Sequence, residues 1–478
     1  MIPPRRTKIV CTIGPASSSP EVLDRLVAAG MDVARLNFSH GTHAEHAEVI
    51  RRIRAGEARW GRPIAILQDL QGPKIRLGTF GAGGGGRVDL EPGQRFTLSA
   101  LPVPGTAERA SVTHPEYLRQ LRPGDQVWMD DGMIQLRVEA VTDTEVHCRV
   151  LAGGRVSDHK GISLQRVPLP VSCLTEKDRE DLRFGVEHGV DFVAVSFVRS
   201  AADIIEARKF LHELGADVPL VAKLERQEAL TNLPGILGLV DAVMVARGDL
   251  GVDVPLEEVP HIQKEVIRQA RAAKVPVIVA TQMLESMTRH IRPTRAEVAD
   301  VTAAIFDGAD AVMLSAETAT GRYPVEAVTV MDRIARRAEQ AVLAQPPPPR
   351  ERRGVGFPEA ICDAAAEAAR VLGARAIVAF TQSGFSARLI SQERPTVPII
   401  ALTPFVEVQR RLALAWGVSS RLIQKVETTE EMIEAVEATL LGDGSVQLND
   451  VLVIISGSPM WVTGTTNLLK LHRVGERR

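Results

Sequence analysis

Lys223 and Glu225 close one apolar run, and Arg247, Gly248 and Asp249 close the next, in a segment that reads as strand, short helix, strand between Leu220 and Val252. Alternate side chains of a strand share a face, so Lys223 and Glu225 point the same way. A cation with two carboxylates at the ends of neighbouring buried strands suits a divalent metal, Mg2+ or Mn2+, held by Glu225 and Asp249 beside an anionic substrate. The same charges could instead neutralise one another as a rim salt bridge with Lys223 or Arg247. Gly248 lets the backbone approach a ligand and open a short helix whose N–H groups suit a carboxylate, or it simply turns the chain out of its strand.

A second cluster, Arg35, Asn37, Ser39 and His40, ends the run from Val33 to Phe38. Arg35 can fork onto a phosphate, and Asn37, Ser39 and Asp69 offer hard oxygens of the kind that bind a monovalent cation. Zinc on His40, His43 and His46 would want more nitrogen or sulfur partners, so these histidines read as a polar loop and helix start.

The elements that must position these residues recur in order. Eight buried-strand runs, Lys8–Ile13, Val33–Phe38, Ile64–Leu70, Phe192–Val198, Leu220–Glu225, Ala242–Arg247, Val277–Gln282 and Ala311–Glu317, alternate with helical patterns. Ser19-Pro20-Glu21, Thr42 to Glu45 and Thr294 to Glu297 are helix starts. Runs this apolar are buried on both faces, which predicts an α/β chain built on a (β/α)8 TIM barrel, with the polar residues at strand C-termini forming its functional rim.

Between the third and fourth runs the texture changes to Gly- and Pro-rich turns with short alternating segments such as Gln94–Leu98, Gln126–Met129, Gln135–Val141 and Glu145–Leu151. This predicts a small inserted β-barrel lid over residues 73–170, hinged near Pro73 and Pro168 to Pro170, within a barrel of 1–72 plus 171–344. Gly83 to Gly86 lacks the Lys-Ser/Thr of a phosphate loop and reads as a connection. A proline-rich linker, 345–357, leads to a C-terminal α/β domain, 358–478, with strands Ala376–Phe380, Pro398–Leu402 and Val451–Ile455 and a helix Pro358–Leu372.

At 478 residues the chain has room for two or three cores, since single cores stop growing at roughly 250–300 residues. A net charge of −2 gives no field for nucleic acid or a membrane surface. Apolar runs stop at about eight residues and the N-terminus lacks a signal peptide's apolar core, so a cytoplasmic location is expected. Cys11, Cys148, Cys173 and Cys362 are scattered and read as buried reduced thiols.

Long motifs now accumulate in order: Thr7 to Ala16, Ala34-Arg35-Leu36-Asn37-Phe38-Ser39-His40-Gly41, Met244-Val245-Ala246-Arg247-Gly248-Asp249-Leu250-Gly251, Ala280 to Met287 and Arg292 to Glu297. Over nearly its whole length the chain resembles the pyruvate kinase family. The resemblance implies phosphoryl transfer from phosphoenolpyruvate to ADP, giving pyruvate and ATP, by a homotetramer with Mg2+ or Mn2+. It implies that Glu225 and Asp249 hold the metal, that Gly248, Asp249 and Thr281 hold the substrate carboxylate, and that Arg35 engages the phosphoryl group. Lys223 is then the transition-state stabiliser, Thr281 and Ser315 the proton relay, and Asn37, His40, Arg76 and Lys160 the nucleotide contacts.

The family's K+ site would fall on Asn37, Ser39, Asp69 and the carbonyl of Leu70. Here Lys74 stands where many members carry an acid, and Leu70 where they carry Thr; an ammonium can supply the missing charge, so activity without K+ is expected. Ala316 and Thr320 replace a usual Gly and Lys. Thr381, Gln382, Ser383, Gly384 and Ser386 follow a strand and open a helix where the family places an allosteric phosphate loop; a sugar phosphate or nucleoside monophosphate is the expected effector, with an ordinary capped turn as the alternative. A metal-dependent barrel aldolase or lyase would have no use for a lid carrying Lys160. A metabolite sensor on a dead barrel would lack Lys223, Glu225, Asp249 or Arg35, and all four are present.

Overall fold

A computed structural model of the chain describes residues 5–81, 86–130, 132–164, 172–344, 356–458 and 464–476. Gly83 to Gly85, the stretch from Pro168 to Pro170, and 345–355 of the linker fall outside the described residues. All eight predicted runs are strands: Lys8–Thr12, Val33–Asn37, Ala65–Asp69, Phe192–Val195, Leu220–Leu224, Ala242–Ala246, Val277–Ala280 and Ala311–Leu314. They close into one parallel barrel in which the third strand pairs directly with the fourth across the whole insertion. Thr42 and Thr294 make full capping boxes with Glu45 and Glu297, and the Ser19 side chain caps Pro20–Ala29, so the helix starts follow from local hydrogen bonding.

Because the strands are buried on both faces, two apolar layers coexist. Val10, Val33, Leu67, Val221, Met244 and Ile278 fill the barrel interior, while Ile9, Leu36, Ile66, Val243 and Val279 face the helices. Leu414 of the C-terminal sheet's connecting segment joins the interior cluster and stoppers the floor.

The insertion supplies a seven-stranded sheet and a two-stranded one around Phe96, Tyr117, Leu136 and Val146. Gln126–Met129 is a strand as predicted; the first predicted segment shifts by a residue to Arg95–Ser99, and the other two lengthen by one, to Ile134–Val141 and Glu145–Ala152. The C-terminal sheet orders Val418–Leu422, Ile399–Thr403, Ala376–Phe380, Val451–Gly457 and Thr466–Arg473, with only the last strand antiparallel. Its first and last strands, and the short insertion strands such as Ile75–Arg76 and Arg109–Ser111, carry too little apolar patterning to be anticipated.

Candidate active site

Lys223 is the penultimate residue of its strand and is 9% exposed, so its ammonium must find partners inside the rim. It finds Glu225 Oε1 at 2.8 Å and Asp69 Oδ1 at 3.2 Å, and donates to Ser196 Oγ at 2.7 Å. Ser196 in turn donates to the Leu70 carbonyl at 2.6 Å. Burial opposes the charge on Lys223, but Asp69, Glu225 and Asp249 outweigh it and hold the ammonium above its ordinary value.

The two candidate metal ligands are pushed apart. Burial and the nearby charge of Asp249 raise Glu225 despite Lys223, whereas the pull of Lys74 and Lys223 on Asp249 outweighs burial and lowers it. Glu225 Oε2 accepts from the N–H of Phe197 at 2.8 Å, and Phe197 holds a left-handed φ of 56°. Asp249 Oδ1 lies 3.0 Å from Lys74 Nζ.

The salt-bridge alternative is half realised. Lys223 pairs with Glu225, but Arg247 turns away, to Asp300 Oδ1 at 2.7 Å and the Thr281 carbonyl at 2.7 Å. Among the described residues no three His, Cys, Asp or Glu side chains gather into a metal cluster. Two hard carboxylates are the donor set of an ion such as Mg2+ that completes its shell with water and substrate, so the residues fit that group.

Arg35 Nε grips Asp69 Oδ2 at 2.6 Å and its Nη1 donates to Thr12 Oγ1 at 2.9 Å. Asn37 Oδ1 accepts from the Ser39 N–H at 3.2 Å. Asp69 therefore serves two cations and the Leu70 carbonyl serves Ser196, while Lys74 delivers its charge to Asp249.

Gly248 and Thr281 meet directly: the Gly248 N–H donates to Thr281 Oγ1 at 2.8 Å, and that hydroxyl donates to the Ala280 carbonyl at 2.6 Å. Thr281 has φ 69°, a conformation β-branched residues resist, and Arg247 holds its carbonyl there. The predicted helix after Gly248 spans Arg247–Asp253. Ser315 follows the eighth strand with its N–H on Glu317 at 2.7 Å, but its hydroxyl has no hydrogen-bond partner among the described residues, so it is not hydrogen-bonded to Thr281.

Arg35, Asn37, Ser39, His40, Lys223, Glu225 and Asp249 line the barrel side of a cavity of about 690 Å3, whose lining does not include Gly248, Thr281 or Ser315. The insertion contributes Lys74, Arg76 and Lys160, together with Asp130, Asp158 and His159, which sequence reasoning missed. Lys160 pairs with Asp130 at 2.7 Å, and Arg76 donates to the His159 carbonyl at 3.1 Å. Asp130 and His159 have φ of 53° and 60°. Their only sequence signal was position: one follows a predicted strand, the other precedes Lys160.

Far from this cavity in the chain, Thr381 to Gly384 do join the strand Ala376–Phe380 to the helix Phe385–Gln392. Gly384 takes φ 82°, Ser386 Oγ lies 2.6 Å from Thr466 Oγ1, and Arg388 donates to the Ser383 carbonyl at 3.3 Å, which places an unanticipated cation at the loop.

Residues 4–328 match the family model described as pyruvate kinase, barrel domain, and 359–472 the one described as pyruvate kinase, alpha/beta domain. The chain is 45% identical to a pyruvate kinase of Mycobacterium tuberculosis over 99% of both chains. It is 47% identical to one of Corynebacterium efficiens over 99% of its own length and 98% of that protein. A crystal structure of a pyruvate kinase from Cryptosporidium parvum superposes with a TM-score of 0.89 at 35% identity, covering 98% of this chain and 96% of that one.

Proposed function

The chain belongs to the pyruvate kinase family, and from that membership we propose how its own residues divide the work. The reaction is phosphoryl transfer from phosphoenolpyruvate to ADP, leaving pyruvate and ATP, with use of a divalent metal. A metal ion, Mg2+ or Mn2+, on Glu225 and Asp249 would neutralise charge on the phosphoryl and enolate oxygens. Gly248 and Asp249 N–H groups with Thr281 hold the substrate carboxylate, which requires the Gly248–Thr281 bond to be exchanged for substrate.

Lys223 and Arg35 stabilise the transferring group, whose charge spreads over its oxygens. The observation that carries this reading is Lys223 itself: a buried ammonium held charged between Glu225 and Asp69 at the wall of a cavity whose other wall carries Lys160. Arg76 and Lys160, with Asn37 and His40, take the ADP phosphates, and closure of the insertion excludes water from the transfer. Protonation of the enolate carbon runs from Thr281 through water, with Ser315 as a second hydroxyl.

Lys74, already on Asp249, supplies the charge that K+ would bring, so activity does not depend on K+. Asn37, Ser39, Asp69 and the Leu70 carbonyl remain the monovalent-cation position. The Thr381 to Ser386 loop, with Arg388 beside it, takes a sugar phosphate or nucleoside monophosphate. The division into 1–72 plus 171–344, 73–170, the linker 345–357 and 358–478, a homotetramer and a cytoplasmic location complete the proposal. The separate apolar clusters support that division, and no helix of the described residues is long and apolar enough to cross a membrane.

The test is an assay of pyruvate formed from phosphoenolpyruvate. Formation that depends on both ADP and Mg2+ is expected; pyruvate appearing at the same rate without ADP would contradict the assignment. A metabolite screen that leaves the phosphoenolpyruvate saturation curve unmoved would remove the effector loop from it.

A further inference from the structure

Two consecutive residues on one helix turn reach two different parts of the site. The helix Glu176–Glu187 begins where the chain returns from the insertion, capped by Thr175 and Asp178. Asp178 Oδ2 takes the Thr175 N–H and hydroxyl at 2.9 and 2.6 Å, and its other oxygen accepts from the Gly72 N–H at 3.0 Å, where the chain leaves for the insertion. Gly72 is confined: at φ 67° a Cβ would lie 2.8 Å from Phe197 and 2.9 Å from Ser196. The neighbouring Lys177 donates to the Phe38 carbonyl at 2.8 Å and pairs with Asp181 at 2.6 Å.

The loop that Lys177 grips is tied to the barrel by the Phe38 N–H on the Asp69 carbonyl at 2.9 Å, and its outer side has anchors of its own. Phe38 turns from the cavity and stacks on His46 at 4.2 Å, and His46 Nε2 donates to the His40 carbonyl at 3.0 Å. Asp181 is shared between Lys177 and His43, at 2.6 and 2.7 Å. The Phe38 and His40 carbonyls, on either side of Ser39, are thus fixed, while the side chains of Asn37, Ser39 and His40 line the cavity. The Lys177 side chain is 48% exposed, so water screens its pairing, and the buried Asp181 keeps His43 as a second partner. Its ammonium is accounted for by what it orients.

We propose that Lys177 is a positioning residue: it holds the rim loop Phe38 to Gly41 in register with the hinge at Gly72, so that the nucleotide side of the cavity and the lid are set by a single helix turn. The inference rests on the reading that Asn37 and His40 serve the nucleotide. Losing a hydrogen bond from a charged donor costs on the order of tenfold or more in binding when the loop must be reordered.

In the full-length enzyme, Lys177→Gln should raise KM for ADP about tenfold and leave kcat and KM for phosphoenolpyruvate within about twofold. The melting temperature should hold, Lys177→Arg should restore the ADP KM, and amide hydrogen exchange over residues 38–41 should quicken in the Gln variant alone. An unchanged ADP KM in Lys177→Gln, where Asn37→Ala raises it, overturns the proposal. So does a uniform loss of all constants together with a lowered melting temperature. If Asn37→Ala and His40→Ala both leave ADP untouched, the nucleotide reading fails, and the exchange data decide alone: faster exchange sustains the anchor and unchanged exchange overturns it.

Discussion

Two buried lysines sit at opposite ends of the barrel, and their surroundings push them in opposite directions. At the rim, Lys223 faces Asp69, Glu225 and Asp249, and stays charged above its ordinary value although burial opposes it. At the floor, Lys8 donates to the Val418 carbonyl of the C-terminal sheet at 2.7 Å. Burial dominates there; Asp32 supports the charge, Arg5 and Arg62 oppose it, and the lysine falls to about 8.

The rest of each end follows suit. Floor charges finish on protein atoms: Arg394 on Asp310 at 2.9 Å and over Trp416, Arg6 on the Pro395 carbonyl at 2.8 Å, Arg410 on Glu57 at 2.5 Å. Rim charges converge on a cavity of about 690 Å3. Burial with charge is therefore common to both ends, and what distinguishes a reacting site is that charges of both signs face open space.

The comparison can be broken most severely at the metal ligands. Glu225→Gln should lower turnover at least about a hundredfold and weaken Mn2+ binding to the free enzyme, measured by titration; strong binding with full turnover would remove Glu225 from the site. Next comes the support beneath it. Arg247→Lys cannot fork onto both Thr281 and Asp300, so the strained Thr281 should relax and the exchange of pyruvate methyl protons in D2O should slow by about tenfold, more than phosphoryl transfer does.

The floor gives a smaller effect with a definite sign. Lys8 titrates near 8 when folded and at 10.5 ordinarily, so between these values the unfolded chain binds more protons and stability rises with pH. Below about pH 8 both states are protonated and the contribution is flat. Wild type should gain on Lys8→Met by at most about 1.4 kcal/mol per pH unit from pH 8 to 10, read from melts; a gain confined to below pH 7 would reverse the assignment. The smallest change is expected from K+: replacing it with a bulky inert cation at equal ionic strength should alter turnover by less than about twofold, and strong activation by K+ would show that Lys74 does not substitute for it.

Much of this was legible in the chain. Strands buried on both faces are unbroken apolar runs, so the eight staves stood out, and the capping boxes fixed helix starts through local hydrogen bonds. Lys223, Glu225, Asp249 and Arg35 were visible as charges ending apolar strands. Partners set by tertiary proximity were not: Thr12 on Arg35, Ser196 on Lys223 and the turn of Arg247 toward Thr281 join residues far apart in sequence. The edge strand Thr466–Arg473 was missed because its half-buried pattern mixes apolar and charged residues without a clean period.

The most direct test sets the two lysines side by side in one assay. Lys223→Met and Lys8→Met are compared with wild type for pyruvate formation at saturating phosphoenolpyruvate, ADP and Mg2+, with melting curves for each. The expected result is a loss on the order of a hundredfold or more for Lys223→Met and a change within about twofold for Lys8→Met. Full turnover in the Lys223 variant, or an equal loss in both, would contradict the account.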